Sequence, residues 1–180
     1  MFTLCSTNKN KRDIFNDYFG KGNVNFVDIE FVDNENNDHN VILIDKIRQA
    51  NKLLTDDFCI EDMYFVVDGK QINSLKEFVS KREYHNYYDK EAKFVSKIAY
   101  KKGNKIYIYT GEVNGTIIKY PQGYSEYEFD NHFLLLENNK TLGELTFQER
   151  NEQGFNVRRL SCEKLHVNDY SLVLNINYIL

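Results

Sequence analysis

Four clusters in this 180-residue sequence carry side chains able to handle a phosphorylated or planar aromatic ligand. Ser6-Thr7-Asn8-Lys9-Asn10-Lys11 stands between an apolar run and a helical pattern. The first amides of a helix favour anions, and Lys11 falls one turn in, where its ammonium can reach a phosphate. A plain Asn N-cap with solvated lysines has the same signature and is the simpler reading. Glu61-Asp62 follows the apolar Phe58-Cys59-Ile60. Two adjacent carboxylates at the end of a strand can hold Mg²⁺ or polarise a water, and ligands of open α/β sheets gather at that edge. A solvated turn fits them equally well. Asp33 and Glu35, on a loop, are weaker metal candidates.

Tyr127-Glu128-Phe129-Asp130-Asn131-His132-Phe133 alternates rings with carboxylates. Rings can stack on a planar ligand while a carboxylate accepts its hydrogen bonds. Packing beneath a loop is the better reading of such rings, and a structural role that of His132. Glu149-Arg150 and Arg158-Arg159 offer guanidinium groups that grip phosphates bidentately. An exposed charged helix face explains them unless the segment lines a cleft.

The elements that position these groups follow from periodicity. Phe2–Cys5 reads as a strand and Asn8 opens a helix, with Ile14, Phe15, Tyr18 and Phe19 at helical spacing and Gly20 and Gly22 at its end. Residues 25–31 alternate as a second strand, 33–38 form an acidic turn-rich loop, and 41–54 fit a helix. The third strand, from Phe58, is expected to end at Glu61-Asp62, with extended chain resuming at 64–67 before the Asp68-Gly69 turn. Residues 75–78 belong to a helix. Residues 94–100 and 105–113 flank Lys102-Gly103-Asn104 as a long hairpin, and the strand resumes over 115–119. Residues 133–136 read as a strand. Thr141-x-x-Glu144 has capping-box spacing and should start a helix, and 171–180 alternates as a last strand. The expected fold is therefore α/β: a mixed central sheet with flanking helices and a long antiparallel hairpin, in one domain over 1–180.

Composition narrows the function classes. Hydrophobic residues make up 42% and aromatics 14%, enough for a core and unlike a disordered chain. A formal charge of −4 gives no bulk attraction to nucleic acid, so an anionic ligand needs a local basic cluster. Cys5, Cys59 and Cys162 are odd in number and unpaired in spacing, which argues against a disulfide framework or zinc site and for a reducing compartment. No basic-then-apolar leader precedes Phe2, and no apolar run is long enough to span a bilayer, so a cytoplasmic location without membrane contact is expected.

In order, these pieces resemble the inosine triphosphate pyrophosphatase family, which hydrolyses deaminated purine triphosphates to monophosphate and pyrophosphate. Ser6-x-Asn8-x-x-Lys11 is similar to its opening phosphate motif, Lys46 to Lys52 to its second helix, and Glu61-Asp62 to its paired acidic motif. Asp33 falls near its metal-binding Glu. Thr110-Gly111-Glu112-Val113-Asn114-Gly115-Thr116-Ile117, with Pro121-x-Gly123, resembles its G-x-x-x-G-x-I strand. Tyr127 to Phe133 resembles its base-binding loop, and Thr141-x-x-Glu144-x-x-x-x-Glu149-Arg150-Asn151 its Thr-x-Ala-Glu-x-x-x-x-Glu-Lys-Asn run. The resemblance covers residues 1–160 and leaves 161–180 as an extra segment.

It implies an ITPase-like cleft for a purine nucleoside triphosphate of the ITP, dITP or XTP type. It implies Asp62 and Lys11 as catalytic groups, and nucleotide contacts from Ser6, Asn8, Lys11, Tyr127, Phe129, Asp130, Arg150 and Arg158. It also implies Mg²⁺ on Asp62, Glu61 and Asp33, and a homodimer. The departures are concrete. Residues 70–74 replace a Gly-Gly-x-Pro-Gly segment. Glu128 and Asn131 stand where Gly and Pro are expected, and Arg150 where the cleft Lys is expected. Gly154-Phe155-Asn156 aligns with a Ser-His-Arg triplet, leaving Arg158 as the nearest substitute for its Arg. Two functions stay open. One is an active Mg-dependent pyrophosphatase. The other, favoured by the departures and the apolar tail, is a nucleotide sensor or regulatory subunit with weak or absent turnover, acting on a protein effector as family-type proteins do in antiviral defence.

Overall fold

The computed structural model describes residues 2–32, 34, 36, 38–72 and 74–178. In chain order the elements are β1 (Phe2–Cys5), α1 (Lys9–Phe19), β2 (Val24–Val27), α2 (His39–Asn51), β3 (Phe58–Val67), β4 (Lys70–Ile72), α3 (Leu75–Ser80), β5 (Glu91–Lys102), β6 (Lys105–Ile117), β7 (Phe133–Leu135), α4 (Phe147–Glu152), α5 (Val157–His166) and β8 (Leu172–Asn175). The strands hydrogen-bond in the order β2-β1-β3-β5-β6-β7, with β4 on β3 and β8 on β6. β1 pairs in parallel with β2 and β3, while β4, β7 and β8 pair antiparallel, so the sheet is mixed as expected.

Residue contacts divide the chain into two compact units, Met1–Met63 with Ser96–Gly111 and Arg158–Leu180, and Tyr64–Val95 with Glu112–Val157. In the first unit the strand period of two sorts side chains onto opposite faces of the sheet. Cys5, Phe58, Ile60, Ala99, Ile106 and Ile108 pack with Leu43, Ile47 and Ala50 of α2. Leu4, Cys59, Ile98 and Tyr109 pack instead with Phe15 of α1 and Cys162 of α5. One face is therefore covered by α2 and the other by α1 and α5. The second unit is centred on rings. Phe65 lies with its ring centroid 4.9 Å from Phe94, 5.4 Å from Phe129 and 5.7 Å from Phe78. Gly115 of β6 lets β7 approach: a Cβ there would sit 2.5 Å from the Leu134 carbonyl oxygen.

Several boundaries differ from the sequence expectation. β3 does not end at Glu61-Asp62 but runs through both to Val67. Carboxylates usually break a buried strand because burying a charge is costly, yet a charge with a partner is tolerated, and each of these has one. The capping box of Thr141 and Glu144 closes only a 3₁₀ turn, Leu142–Glu144, because Leu145 is extended (φ −109°, ψ 133°). A second box, Thr146 with Glu149, starts α4. Neither β4 nor α5 is foreseen as a separate element. The final strand is shorter than expected: β8 gives way at once to a 3₁₀ turn, Ile176–Tyr178. Residues 179 and 180, the end of that alternating run, lie outside the described residues, as do Asp33 and Glu35. Among the described residues no helix is long and apolar enough to cross a membrane.

Candidate functional site

The site grows from the turn after β1. Ser6 is buried, and its Oγ accepts the Asn8 N–H at 3.1 Å. Asn8 caps α1, its Oδ1 accepting the Lys11 N–H at 3.2 Å. The cap fixes the first turn, and Lys11 then points back to the sheet. Its Nζ donates to the Glu61 carbonyl oxygen at 2.7 Å and lies 3.0 Å from Glu61 Oε2.

Adjacent residues of a strand face opposite ways, and Glu61 and Asp62 do so here. Glu61 shares the face of Cys59, under α1 and α5. Its side chain is fully buried, and it meets Lys11 from α1 and Arg158 from α5, the latter with Nε 3.2 Å from both Oε atoms. Ser96 Oγ donates to Glu61 Oε1 at 2.8 Å and lies 2.8 Å from Ser161 Oγ. Burial alone would raise the Glu61 pKa, but Lys11, Arg158 and the Ser96 hydroxyl outweigh it and hold the carboxyl below its usual range. Asp62 shares the face of Ile60, under α2. Lys46 Nζ of α2 donates to Asp62 Oδ2 at 2.5 Å, and the Met63 N–H to Oδ1 at 3.0 Å. Here too burial raises the pKa while Lys46, and then Lys11, bring it below the ordinary carboxylate value.

His39, the first residue of α2, is buried with Nε2 3.9 Å from Asp62 Oδ2. Burial pushes its pKa down to about 4, against the pull of Asp62, so the ring is neutral at pH 7. Lys97 shares this face and donates to Asn40 Oδ1 at 2.7 Å. The result is two carboxylate–ammonium clusters back to back through one strand. The side chains of Lys11 and Lys46 keep 15% and 13% of their surface exposed.

This geometry bears on the expected magnesium. Glu61 and Asp62 diverge to opposite faces of the sheet, and both oxygens of each already accept hydrogen bonds or ion pairs. They do not fit as one metal-binding pair. Among the described residues no group of three His, Cys, Asp or Glu could hold a metal, and Asp33 lies outside those residues.

The other candidates take different positions. Arg150 is held by its own unit: it donates to the Leu142 carbonyl at 2.6 Å and the Leu145 carbonyl at 3.3 Å, and pairs with Asp130 at 2.8 Å. Asp130 Oδ2 also accepts the Ser125 hydroxyl at 3.1 Å. Phe129 is buried among Phe65, Phe78 and Phe94. Tyr127, by contrast, is 77% exposed. Phe155 is buried in the second unit.

Of the expected residues, then, Ser6, Asn8, Lys11, Glu61 and Arg158 come together in one network, with Asp62 on the opposite face. Lys46, His39, Ser96 and Ser161 were not foreseen. For Lys46 the sequence signal is parity: adjacent carboxylates on one strand face opposite ways, so Asp62 needs its partner on the helix covering its own face.

A mixed sheet bearing an Asn-capped helix whose lysine returns to a buried acidic strand defines the class of this chain. Sequence comparison matches it over residues 2–167 to the Ham1 family, and the chain belongs to that family. Solved structures of the same fold include the Ham1 protein of Staphylococcus aureus, with a TM-score of 0.70 at 18% identity over 93% of this chain and 97% of that one. A HAM1 protein from Coxiella burnetii gives 0.67 at 18% over 94% and 100%. The nucleoside-triphosphatase / dITP/XTP pyrophosphatase of Mycobacterium abscessus gives 0.67 at 20% over 91% and 98%. A search of curated proteins found no match.

Proposed function

We propose that this chain binds a deaminated purine nucleoside triphosphate, of the ITP, dITP or XTP type, with turnover weak or absent, and serves as a nucleotide sensor or regulatory subunit. Membership of the Ham1 family supports the ligand class, as does the likeness to a protein described as a dITP/XTP pyrophosphatase. The amides at the start of α1 and the ammonium groups of Lys11 and Lys46 supply the phosphate contacts. Magnesium enters this reading with the triphosphate, as part of the ligand.

The observation that carries the weak turnover is the state of the acids. Each is closed on a cation, and Asp62 is held below its ordinary pKa by Lys46. A general base works best with a pKa near the operating pH, and this one is displaced the wrong way. A sensor must bind its ligand differently in two states, so a partner effector is part of the proposal, of the kind found in antiviral defence.

Incubation with ITP, dITP, XTP and GTP in the presence of Mg²⁺, scoring thermal stabilisation and pyrophosphate release together, tests this. Stabilisation by the deaminated nucleotides with little release is the expected result. Rapid release would establish an active pyrophosphatase. Neither response to any of the four would remove the nucleotide reading.

A further inference from the structure

At the turn between β5 and β6, on the α1/α5 face of the first unit, the surface sinks into a concavity of about 820 Å³. Its walls are tyrosines from the hairpin and from the segment before β8: Tyr100, Tyr107, Tyr109 and Tyr170. Its rim carries Lys102 and Lys105. We propose that this concavity is a second binding site, for a planar aromatic anion, of which a nucleoside monophosphate is the fullest match.

Three features carry the argument. The first is place. The concavity includes Asp57, just before β3 begins, whereas Glu61 and Asp62 lie four and five residues further along that strand. At about 3.3 Å per residue that separation is roughly 13 Å or more. The second is the wall. Tyr107 and Tyr170 meet edge to face at 5.2 Å, and Tyr109 donates its hydroxyl to Asn168 Oδ1 at 2.9 Å. These contacts fix the rings, while Tyr170 keeps 43% of its surface exposed as a platform for a second ring. The third is charge. Lys102 and Lys105 are exposed, and neither has an ion pair among the described residues. The one acid of the lining, Asp57, is committed through Oδ1 to the Gly103 N–H at 2.8 Å. Two ammonium groups against one carboxylate leave a net positive rim. The volume lies within the range of small-molecule sites.

Such a site does not depend on nucleotide binding at Lys11, and nuclear magnetic resonance on the full chain, ¹⁵N-labelled, separates the two. Inosine 5′-monophosphate is titrated, with 4-hydroxybenzoate and inorganic phosphate as separate arms. The expected result is saturable movement of the Gly103, Asn104 and Asn168 amides with the nucleotide, weakened at least tenfold in Lys102→Ala/Lys105→Ala and in Tyr170→Ala. Stronger movement with 4-hydroxybenzoate makes the ligand an aromatic carboxylate within the same class. Movement with inorganic phosphate equal to that with the nucleotide removes the aromatic recognition and overturns the proposal. So does the absence of movement at these three amides at millimolar nucleotide, or movement that both variants leave unchanged. Shifts confined to residues 6–12 report the Lys11 site alone and also overturn it.

Discussion

Replacing Glu61 by Gln removes one charge from the centre of the first unit while keeping its shape. In the native fold that charge faces Lys11 at 3.0 Å and Arg158 at 3.2 Å with no exposed side-chain surface. Breaking a buried pair by deleting one partner costs about 3–5 kcal/mol, because the other charge is stranded. Lys11 and Arg158 retain 15% and 20% exposure, and Lys11 keeps its bond to the Glu61 carbonyl, so the low end applies, about 3 kcal/mol. For a chain of this size each kcal/mol moves the unfolding midpoint by about 2–4 °C, giving a fall of roughly 6–12 °C. The pH dependence provides a second reading. The folded Glu61 pKa lies below its unfolded value, so its contribution is complete above about pH 4.3 and is lost as pH falls through the folded value. The wild-type and Glu61→Gln midpoints should therefore converge on acidification below about pH 4. Thermal unfolding by circular dichroism from neutral to acid pH measures both. A variant as stable as wild type at pH 7, or a gap that persists unchanged in acid, would refute the structural role assigned to this carboxylate.

Lys11→Ala should weaken ITP binding at least tenfold, about 1.4 kcal/mol, in calorimetric titration, and unchanged affinity would take Lys11 out of the phosphate site. His39 is neutral when folded, with its pKa near 4, while the unfolded chain takes up a proton near pH 6.5. Stability should thus fall by as much as about 3 kcal/mol as pH drops from about 6.5 to about 4, and urea titrations should find this slope flattened in His39→Gln. Asp62→Asn should leave the fold intact and remove whatever pyrophosphate release the wild type shows; full release from the variant would exclude Asp62 as base. Deleting the residues after Asp169 exposes the flank of β6 and should lower the unfolding midpoint, whereas a stable truncated chain that still binds ITP would free the tail for a partner.

What the sequence discloses follows the range of the forces involved. α1 is legible because its signals are local: Asn8 caps it and Gly20, at φ +86°, ends it. The β5–β6 hairpin is legible for the same reason, from Gly103-Asn104 between two alternating runs. The buried acid is not. Glu61 draws its partners from positions 35, 50 and 97 residues away, and no short pattern encodes such a set. The adjacent acids suggest a shared metal when read as the end of a strand, and two separate ion pairs once the strand is known to continue. α4 and α5 divide one charged stretch because Gly154, at φ +78°, breaks it.

The strand β8 also bears on how the chain is made. It covers Lys105–Ile108 of β6, and the Ser171 hydroxyl that bonds the Ile108 carbonyl stands 63 residues further along the chain. During synthesis the hairpin emerges first, and this edge stays unpaired until residues 172–175 have left the ribosome. The sequence at that edge is Lys105-Ile106-Tyr107-Ile108, β-prone and guarded by a single charge. Chains interrupted before β8 would present that edge to one another, with Lys105 at its head as a charge that opposes their joining.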